Sequence, residues 1–343
     1  MVRTAVLGFA HSHISGITEQ WQKHPEYGVE LVCGWDAQDQ RCRDGCEKLG
    51  IARAGSVSQI MEDESVQAVI IGSETAYHAQ LAVEAARAKK KIIVYKPLAL
   101  TLEQADSIVN AVEENGVDFT VAWQMRVDPV NLEIKRIINS GELGRPFYFR
   151  RRHSLSVHTW ADFENSWHVN PALNRDIFAD DSAHPIDWMI SLFGMPQTVM
   201  CELATEYSPK IPNDLGVALF KYPSGLLCEV SFCAVASAAE HTTEVYFEHG
   251  SLQHYGGDGV STRLPHKGMT ALKWFKEGDA DWTVSPIPVP DGQWVRICAQ
   301  AKPLADFLNN KAPAVCTAQQ ARDSLRAVLK CCESNNEGRR VSI

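Results

Sequence analysis

The feature that most constrains the fold is an alternation of short apolar runs and amphipathic stretches through residues 4–123. The run 4–7 ends at Gly8, and an amphipathic stretch over 12–23 stops at Pro25. Residues 29–35 predict a strand ending at Asp36, 38–49 a helix closed by Gly50, and 67–72 a strand of the fully buried kind. An Ala-rich helix over 76–89 follows, then a strand over 91–95. Thr101 opens a further helix, with Gln104 as its capping-box partner, and residues 118–123 predict one more strand. Strands that alternate with helices at this pace pair in parallel, with helices on both faces of the sheet. Such sheets bind ligands beyond the carboxyl ends of their strands. The residues just after Leu7, Trp35, Gly72 and Tyr95 are therefore the first candidates for a site.

The pattern changes near residue 145. Residues 147–157, 198–207, 215–222, 226–235 and 242–249 predict strands of an antiparallel sheet. A helix near 186–193 interrupts them and another closes the chain over 318–332. The second part is thus α+β, with more strand than the first.

Charge and cysteine usage exclude several functions. Acidic residues outnumber basic ones, 42 to 33, and the net charge of −9 does not suit a nucleic-acid partner. The basic runs at 89–91 and 150–152 are short. The 10 cysteines lack zinc spacing and predict free thiols in a reducing compartment. The first apolar run is too short for a signal peptide, and no stretch reaches the length of a membrane span. The expectation is a cytoplasmic enzyme with neither a membrane nor a metal requirement.

The turn Gly8-Phe9-Ala10-His11-Ser12-His13 lies between a strand and a helix. A dinucleotide fingerprint wants glycine at the positions of Gly8, Ala10 and His13, and only the first is glycine. Ala10 adds one methyl where the backbone approaches a pyrophosphate, and the His13 ring must point away from the strand it would otherwise crowd. His11 and His13 can donate to phosphate. Asp36, at the end of the second strand, can accept from ribose hydroxyls and repel a 2′-phosphate, which predicts NAD over NADP.

Lys96-Pro97-Leu98-Ala99-Leu100-Thr101 leaves the strand 91–95, which puts a lysine in the expected crevice. This segment resembles the EKPLALT signature of the Gfo/Idh/MocA oxidoreductases. Residues 69–78 are similar to that family's VVIATPNxxH turn, 137–146 to its LIxSGELGxP link, 180–187 to DxGxHxxD and 337–341 to the closing xxGRRV. The matches run in order along nearly the whole chain. The resemblance implies an N-terminal Rossmann dinucleotide-binding domain, residues 1–122. It also implies a C-terminal α+β domain, residues 123–343, whose large and mainly antiparallel open sheet binds substrate and mediates a homodimer or homotetramer. It implies NAD or, less readily, NADP, and hydride transfer at a hydroxyl-bearing carbon of a sugar, cyclitol or related polyol. The family's catalytic Lys, Asp and His fall on Lys96, Asp180 and His184, and its frequently cis Lys-Pro bond falls on Lys96-Pro97. Cofactor contacts fall on residues 8–13, Asp36, Ser73, Glu74, Thr75, His78, Lys96 and Gln124. A histidine with a pKa near neutrality suits the base that takes the hydroxyl proton, and a lysine suits stabilisation of the same oxygen. Relatives that hold NAD through transient oxidation make a glycosidase, lyase or epimerase the alternative.

This chain departs from the family pattern at several points. Tyr95 replaces its Glu, Glu74 its Pro, Thr75 its Asn, and Ser182 a Gly. Pro185 predicts a helix starting at His184, with Asp180 ahead of it. The stretch 151–187 is rich in aromatic and polar side chains. Arg152, His158, Trp160 and His168 are its candidates, beside Lys96, Asp180 and His184, for contact with a polyhydroxylated substrate.

Overall fold

The computed structural model describes residues 1–238, 241–255, 271–290 and 292–343. These divide into two compact units. The first comprises Met1–Val127, Ala172–Asn174 and Arg296–Leu325, and the second comprises Asp128–Pro171, Arg175–Val295 and Arg326–Ile343.

The first unit is built on β1 (Val2–Leu7), β2 (Val29–Trp35), β3 (Ala52–Arg53), β4 (Ala68–Ile71), β5 (Lys91–Tyr95) and β6 (Phe119–Ala122). They form one parallel sheet in the order β3-β2-β1-β4-β5-β6. The connecting helices include α1 (His13–Lys23), α2 (Asp39–Leu49), α3 (Val57–Glu62), α4 (Thr75–Arg87) and α5 (Leu102–Asn115); α6 (Gln124–Val127) follows β6. The strand reversal needed at each end comes from residues that stop helices. Gly50 and Gly116 adopt left-handed backbone at the ends of α2 and α5, and the Thr101 hydroxyl accepts the Gln104 N–H at the start of α5. β4 is buried along its whole length, as a strand covered by helices on both faces requires. Val6, Ile14, Ile17, Trp21, Ile70 and Ile93 form one core with Leu304, Phe307 and Leu308 of the late helix Ala301–Leu308. Each such side chain contributes about 1.5–3 kcal/mol by leaving water. The Trp21 indole N–H donates to the Ala301 carbonyl at 2.8 Å, which satisfies the one polar atom it buries.

The second unit carries a nine-stranded sheet. Its members are β7 (Pro146–Ser154), β8 (Thr198–Ala204), β9 (Leu215–Lys221), β10 (Leu227–Cys233), β11 (Thr242–Phe247), β12 (Gly250–Tyr255), β13 (Leu272–Lys276), β14 (Thr283–Val284) and β15 (Val341–Ser342). The order is β14-β13-β12-β11-β7-β10-β9-β8-β15. All neighbours are antiparallel except β7 and β10, which pair in parallel. α7 (Pro129–Ser140) precedes the sheet, and α8 (Pro171–Asn174), α9 (Ile177–Asp181) and α10 (Ala183–Phe193) lie between β7 and β8 in sequence. β9 alternates strictly: Gly216, Ala218 and Phe220 are buried, whereas Leu215, Val217 and Leu219 face outward and are exposed. The Phe149 ring packs on Trp188 and Phe193 of α10, so one face of the sheet is covered by that helix. The other presents Leu215, Val217, Leu219, Leu227 and Tyr246 to solvent. No helix among the described residues is long and apolar enough to cross a membrane.

Candidate active site

In the first unit, the register of three strands builds the site. Leu7 lies opposite both Trp35 and Ile71, so the carboxyl ends of β1, β2 and β4 finish level. The Gly8 N–H donates to the Trp35 carbonyl at 2.7 Å, and the Gly72 N–H to the Leu7 carbonyl at 2.9 Å. Gly8 has φ +90°, and a Cβ there would stand 2.4 Å from the Ser73 Cα, so the turn tolerates no side chain. Close packing of α1 on the sheet is secured at Gly72, where a Cβ would meet Ile14 at 2.0 Å. His13, which stands where the fingerprint has its last glycine, turns its ring away: Nδ1 lies 2.5 Å from the Tyr95 hydroxyl, to which Gln300 Nε2 donates at 3.2 Å. His11 is buried against the Tyr95 ring at 4.1 Å. The replacements of glycine by His13 and of glutamate by Tyr95 therefore fit each other.

Phe9 wedges its ring between Gly34 of β2 and Gly45 of α2, where a Cβ at either glycine would lie within 2.8 Å of the ring. Its backbone N–H donates to Asp36 Oδ2 at 2.7 Å, and the Gln38 N–H donates to Oδ1 at 2.8 Å. Arg41, at the start of α2, grips the same carboxylate with two bonds of 2.8 Å, and its Nη2 also lies 2.8 Å from Glu74 Oε1. Burial works against the charge of Arg41, but the hydrogen bonds and charges of Asp36 and Glu74 outweigh it and raise its pKa above the usual value. The Ser12 side of the turn, Gln38 and Arg41 line a groove of about 470 Å³.

Other predicted residues settle around these turns. The Ser73 hydroxyl donates to the Glu74 carbonyl at 3.1 Å, and the Thr75 hydroxyl donates to Asn174 Oδ1 at 2.6 Å. His78 is fully buried, with Nδ1 2.8 Å from the Pro97 carbonyl and Nε2 3.1 Å from the Ser73 carbonyl, and so ties the β4 turn to the β5 turn. Lys96 follows β5 directly and is buried, and the Lys96–Pro97 peptide bond is cis. Gln124 is buried at the start of α6. Two atoms at these strand ends, Gln124 Oε1 and Glu74 Oε2, are buried with no hydrogen-bond partner. Buried polar atoms left in this way are rare without a role, and Glu74 follows Ser73, on which the Gly8 turn packs. This arrangement fits a nicotinamide dinucleotide, provided that Arg41 yields the Asp36 oxygens to a ribose.

In the second unit, α9 and α10 hold the acidic and histidine side chains. Asp180 lies within the short α9 rather than ahead of all helix, and α10 starts at Ala183, one residue before His184. Asp180 Oδ2 stands 2.8 Å from His168 Nδ1. His168 stacks on Trp167 at 3.9 Å and on Phe163 at 5.8 Å, and Phe163 also receives the Trp160 ring edge-on. Trp160 is exposed, and His158 lies 4.9 Å from the Tyr207 ring. Asp181, not among the sequence-predicted candidates, faces two histidines: Oδ1 is 4.0 Å from His184 Nε2, and Oδ2 is 2.8 Å from His153 Nε2. His241 adds a third imidazole, 4.2 Å from His153. Arg152 lies on β7, opposite Thr242 of β11. Its neighbours Arg151 and His153 are buried, the alternation a strand imposes.

Burial, first, and the nearby His241 depress the His153 pKa from 6.5 to about 4, against the opposing pull of Asp181. Below pH 6.5 the unfolded chain therefore binds a proton at this position that the folded chain refuses. The contribution of neutral His153 is intact above pH 6.5 and is lost progressively as the pH falls to about 4. The loss is on the order of 3 kcal/mol. Urea unfolding at pH 7 and pH 5 should show a steeper decline for the wild type than for His153→Gln. Equal declines would remove His153 as the cause.

Comparison with known proteins agrees with this architecture. Residues 2–123 match the oxidoreductase family with an NAD-binding Rossmann fold, and residues 131–253 match the GFO/IDH/MocA C-terminal domain. The chain belongs to the Gfo/Idh/MocA family. It is 36% identical over 124 residues to scyllo-inositol 2-dehydrogenase (NAD(+)) of Bacillus subtilis, a match covering 36% of each chain. It is 39% identical over 212 residues to the uncharacterized oxidoreductase YrbE of the same organism, covering 62% of this chain and 57% of that one. These matches span from about a third to under two thirds of the relatives' own lengths. Levoglucosan dehydrogenase in complex with NADH and levoglucosan shares the fold with a TM-score of 0.86 at 18% identity, over 100% of this chain and 99% of that one.

Proposed function

We propose that this protein is an NAD-dependent dehydrogenase that oxidises a hydroxyl-bearing carbon of a cyclitol, sugar or related polyol. The observation that carries the reading is the strand-end constellation of the first unit: the Gly8 cradle, buried Asp36, buried Lys96 and the orphaned Gln124 amide oxygen. The likeness to an inositol dehydrogenase over part of the chain favours a cyclitol among these substrates.

In this reading residues 8–13 present their turn to the pyrophosphate, Asp36 takes the adenosine ribose, and Ser73, Glu74, Thr75 and His78 shape the wall beside it. Gln124 offers its amide to the nicotinamide end. The nicotinamide, when bound, accepts a hydride from the carbon that bears the reacting hydroxyl. His184 takes the hydroxyl proton, and Lys96 donates a hydrogen bond to the same oxygen. Asp180 holds His168, and Asp181 holds His153 within reach of His184. Trp160 and His158 offer ring faces and polar tips to a polyhydroxylated ligand, with Arg152 as a further donor. The exposed apolar face of the second unit's sheet supports a homodimer or homotetramer.

The test is a panel of cyclitols and sugars mixed with the purified protein, with and without added NAD. Growth of reduced-nicotinamide absorbance with one alcohol, in proportion to added NAD, is the expected result. Consumption of substrate with no net reduction of added NAD would overturn the dehydrogenase assignment in favour of redox-assisted elimination or epimerisation.

A further inference from the structure

Three charged groups meet at the end of β2, and only two of them belong to the usual dinucleotide pattern. Asp36 is the expected ribose ligand, and an arginine nearby is the usual receptor of a 2′-phosphate. Here both are present, and their roles conflict unless a third group decides between them. Glu74 is that group. Its side chain is 3% exposed, its Oε1 shares Arg41 Nη2 with Asp36 at 2.8 Å, and its Oε2 has no partner. Of the other charged side chains of α2, Asp39 pairs with Arg43 and Arg53, Lys48 pairs with Glu19, and Asp44, which lines the same groove as Arg41, accepts from Gln40. Two buried carboxylates thus face one guanidinium.

We propose that Glu74 is a second discriminating carboxylate, which commits Arg41 and so excludes a 2′-phosphate from the adenosine site even when Asp36 is gone. The inference rests on the reading of the β2 end as the ribose site. A phosphate monoester carries nearly two negative charges at neutral pH. To receive it, Arg41 must leave Asp36 and Glu74, and both would then be buried, unpaired and next to a dianion. A ribose diol asks far less: its hydroxyls replace Arg41 on Asp36, while Arg41 stays anchored on Glu74, whose free Oε2 can accept a second guanidinium N–H. NAD binding is thereby accommodated by a shift of one side chain between two acceptors. With Asp36 alone removed, Glu74 still neutralises Arg41. With Glu74 removed, one carboxylate remains, and Arg41 can turn to an incoming phosphate.

The backbone makes a clean test possible. Glu74 has φ −60° and ψ 145°, a conformation that proline adopts without strain. Equilibrium titrations with NAD and with NADP are to be run on the wild type, Glu74→Gln, Glu74→Pro and Asp36→Ala, each checked for an unchanged melting profile. The wild type should bind NAD at least about 100-fold more tightly than NADP. Both Glu74 variants should gain about tenfold or more in NADP affinity, so that the ratio of NAD to NADP affinity falls by about tenfold or more. Asp36→Ala should lose about tenfold in NAD affinity without gaining NADP. An unchanged NAD-to-NADP ratio in both folded Glu74 variants would overturn the inference and leave the ribose site standing. A wild type that binds neither dinucleotide would overturn the site reading itself, and this inference with it.

Discussion

Replacing Lys96 or His184 by alanine is expected to lower kcat by about 10²-fold or more, with NAD affinity little changed. In the proposed reaction the two residues have different tasks: His184 accepts the proton and Lys96 stabilises the oxygen. Oxidation of an alcohol leaves the oxygen electron-rich as its proton departs, so a base and a positive donor are both needed, and neither substitutes for the other. Lys96 is buried directly after β5, on a turn held by His78 through the Pro97 and Ser73 carbonyls. The turn that carries Lys96 is therefore tied to the β4 turn through His78. His184 is buried at the start of α10, with Asp181 4.0 Å from its Nε2. The His184 variant should lose the acid limb of the pH profile, because the group whose deprotonation creates the base is gone. The Lys96 variant should keep that limb at a lower plateau. Asp181→Asn should displace the limb with a smaller loss of kcat, since it acts through His184 and His153 rather than on substrate. Stopped-flow measurement of NAD reduction against pH, with separate NAD titrations, checks all three. Loss of NAD binding in the alanine variants would make the two residues structural.

The parts of the molecule legible in the sequence are those in which a local pattern has one physical solution. β2 and β5 have the bounds expected of them because each is an apolar run closed by a turn residue. The start of α5 was readable from Thr101 and Gln104, which cap it. The glycine-poor Gly8 turn was readable only as a question: His13 had to turn away from the strand, but its partner, Tyr95, is 82 residues distant, and no local rule links them. The same holds for the second unit. Asp180 and His184 stand four apart in a familiar pattern, yet His168 and His153 take up the two aspartates. Those pairings depend on how residues 157–181 wind through short helical turns, where no periodicity operates. The parallel pairing of β7 with β10 also escaped, because long connections separate the two strands and their apolar alternation is the same in either direction. The family resemblance implies one boundary at 122/123, whereas Arg296–Leu325 returns to the first unit. That return is driven by burial of Leu304, Phe307 and Leu308 against α1 and the sheet, which composition alone does not disclose.

Gly8→Ala is expected to destabilise the first unit by about 3–5 kcal/mol, where Gly50→Ala should cost only about 1 kcal/mol. Both glycines have positive φ, +90° and +61°, so both variants incur backbone strain. They differ in what the new methyl meets. At Gly50 nothing lies within 4 Å. At Gly8 the methyl would stand 2.4 Å from Ser73 Cα and 2.5 Å from Ser73 N, and neither is the end of a flexible side chain. Relief requires moving the β4 turn away from β1. That movement strains the Gly72-to-Leu7 and His11-to-Gly72 hydrogen bonds, both 2.9 Å, and loosens Ile14 from its seat over Gly72. The same movement would spread the backbone that faces a pyrophosphate, so NAD affinity should fall together with stability, whereas Gly50→Ala should leave NAD affinity unchanged. Urea unfolding and NAD titration of the two variants side by side separate strain alone from strain plus collision. Equal losses of stability would mean that the β4 turn yields to the methyl and that close approach at Gly8 is not what holds the turn in shape.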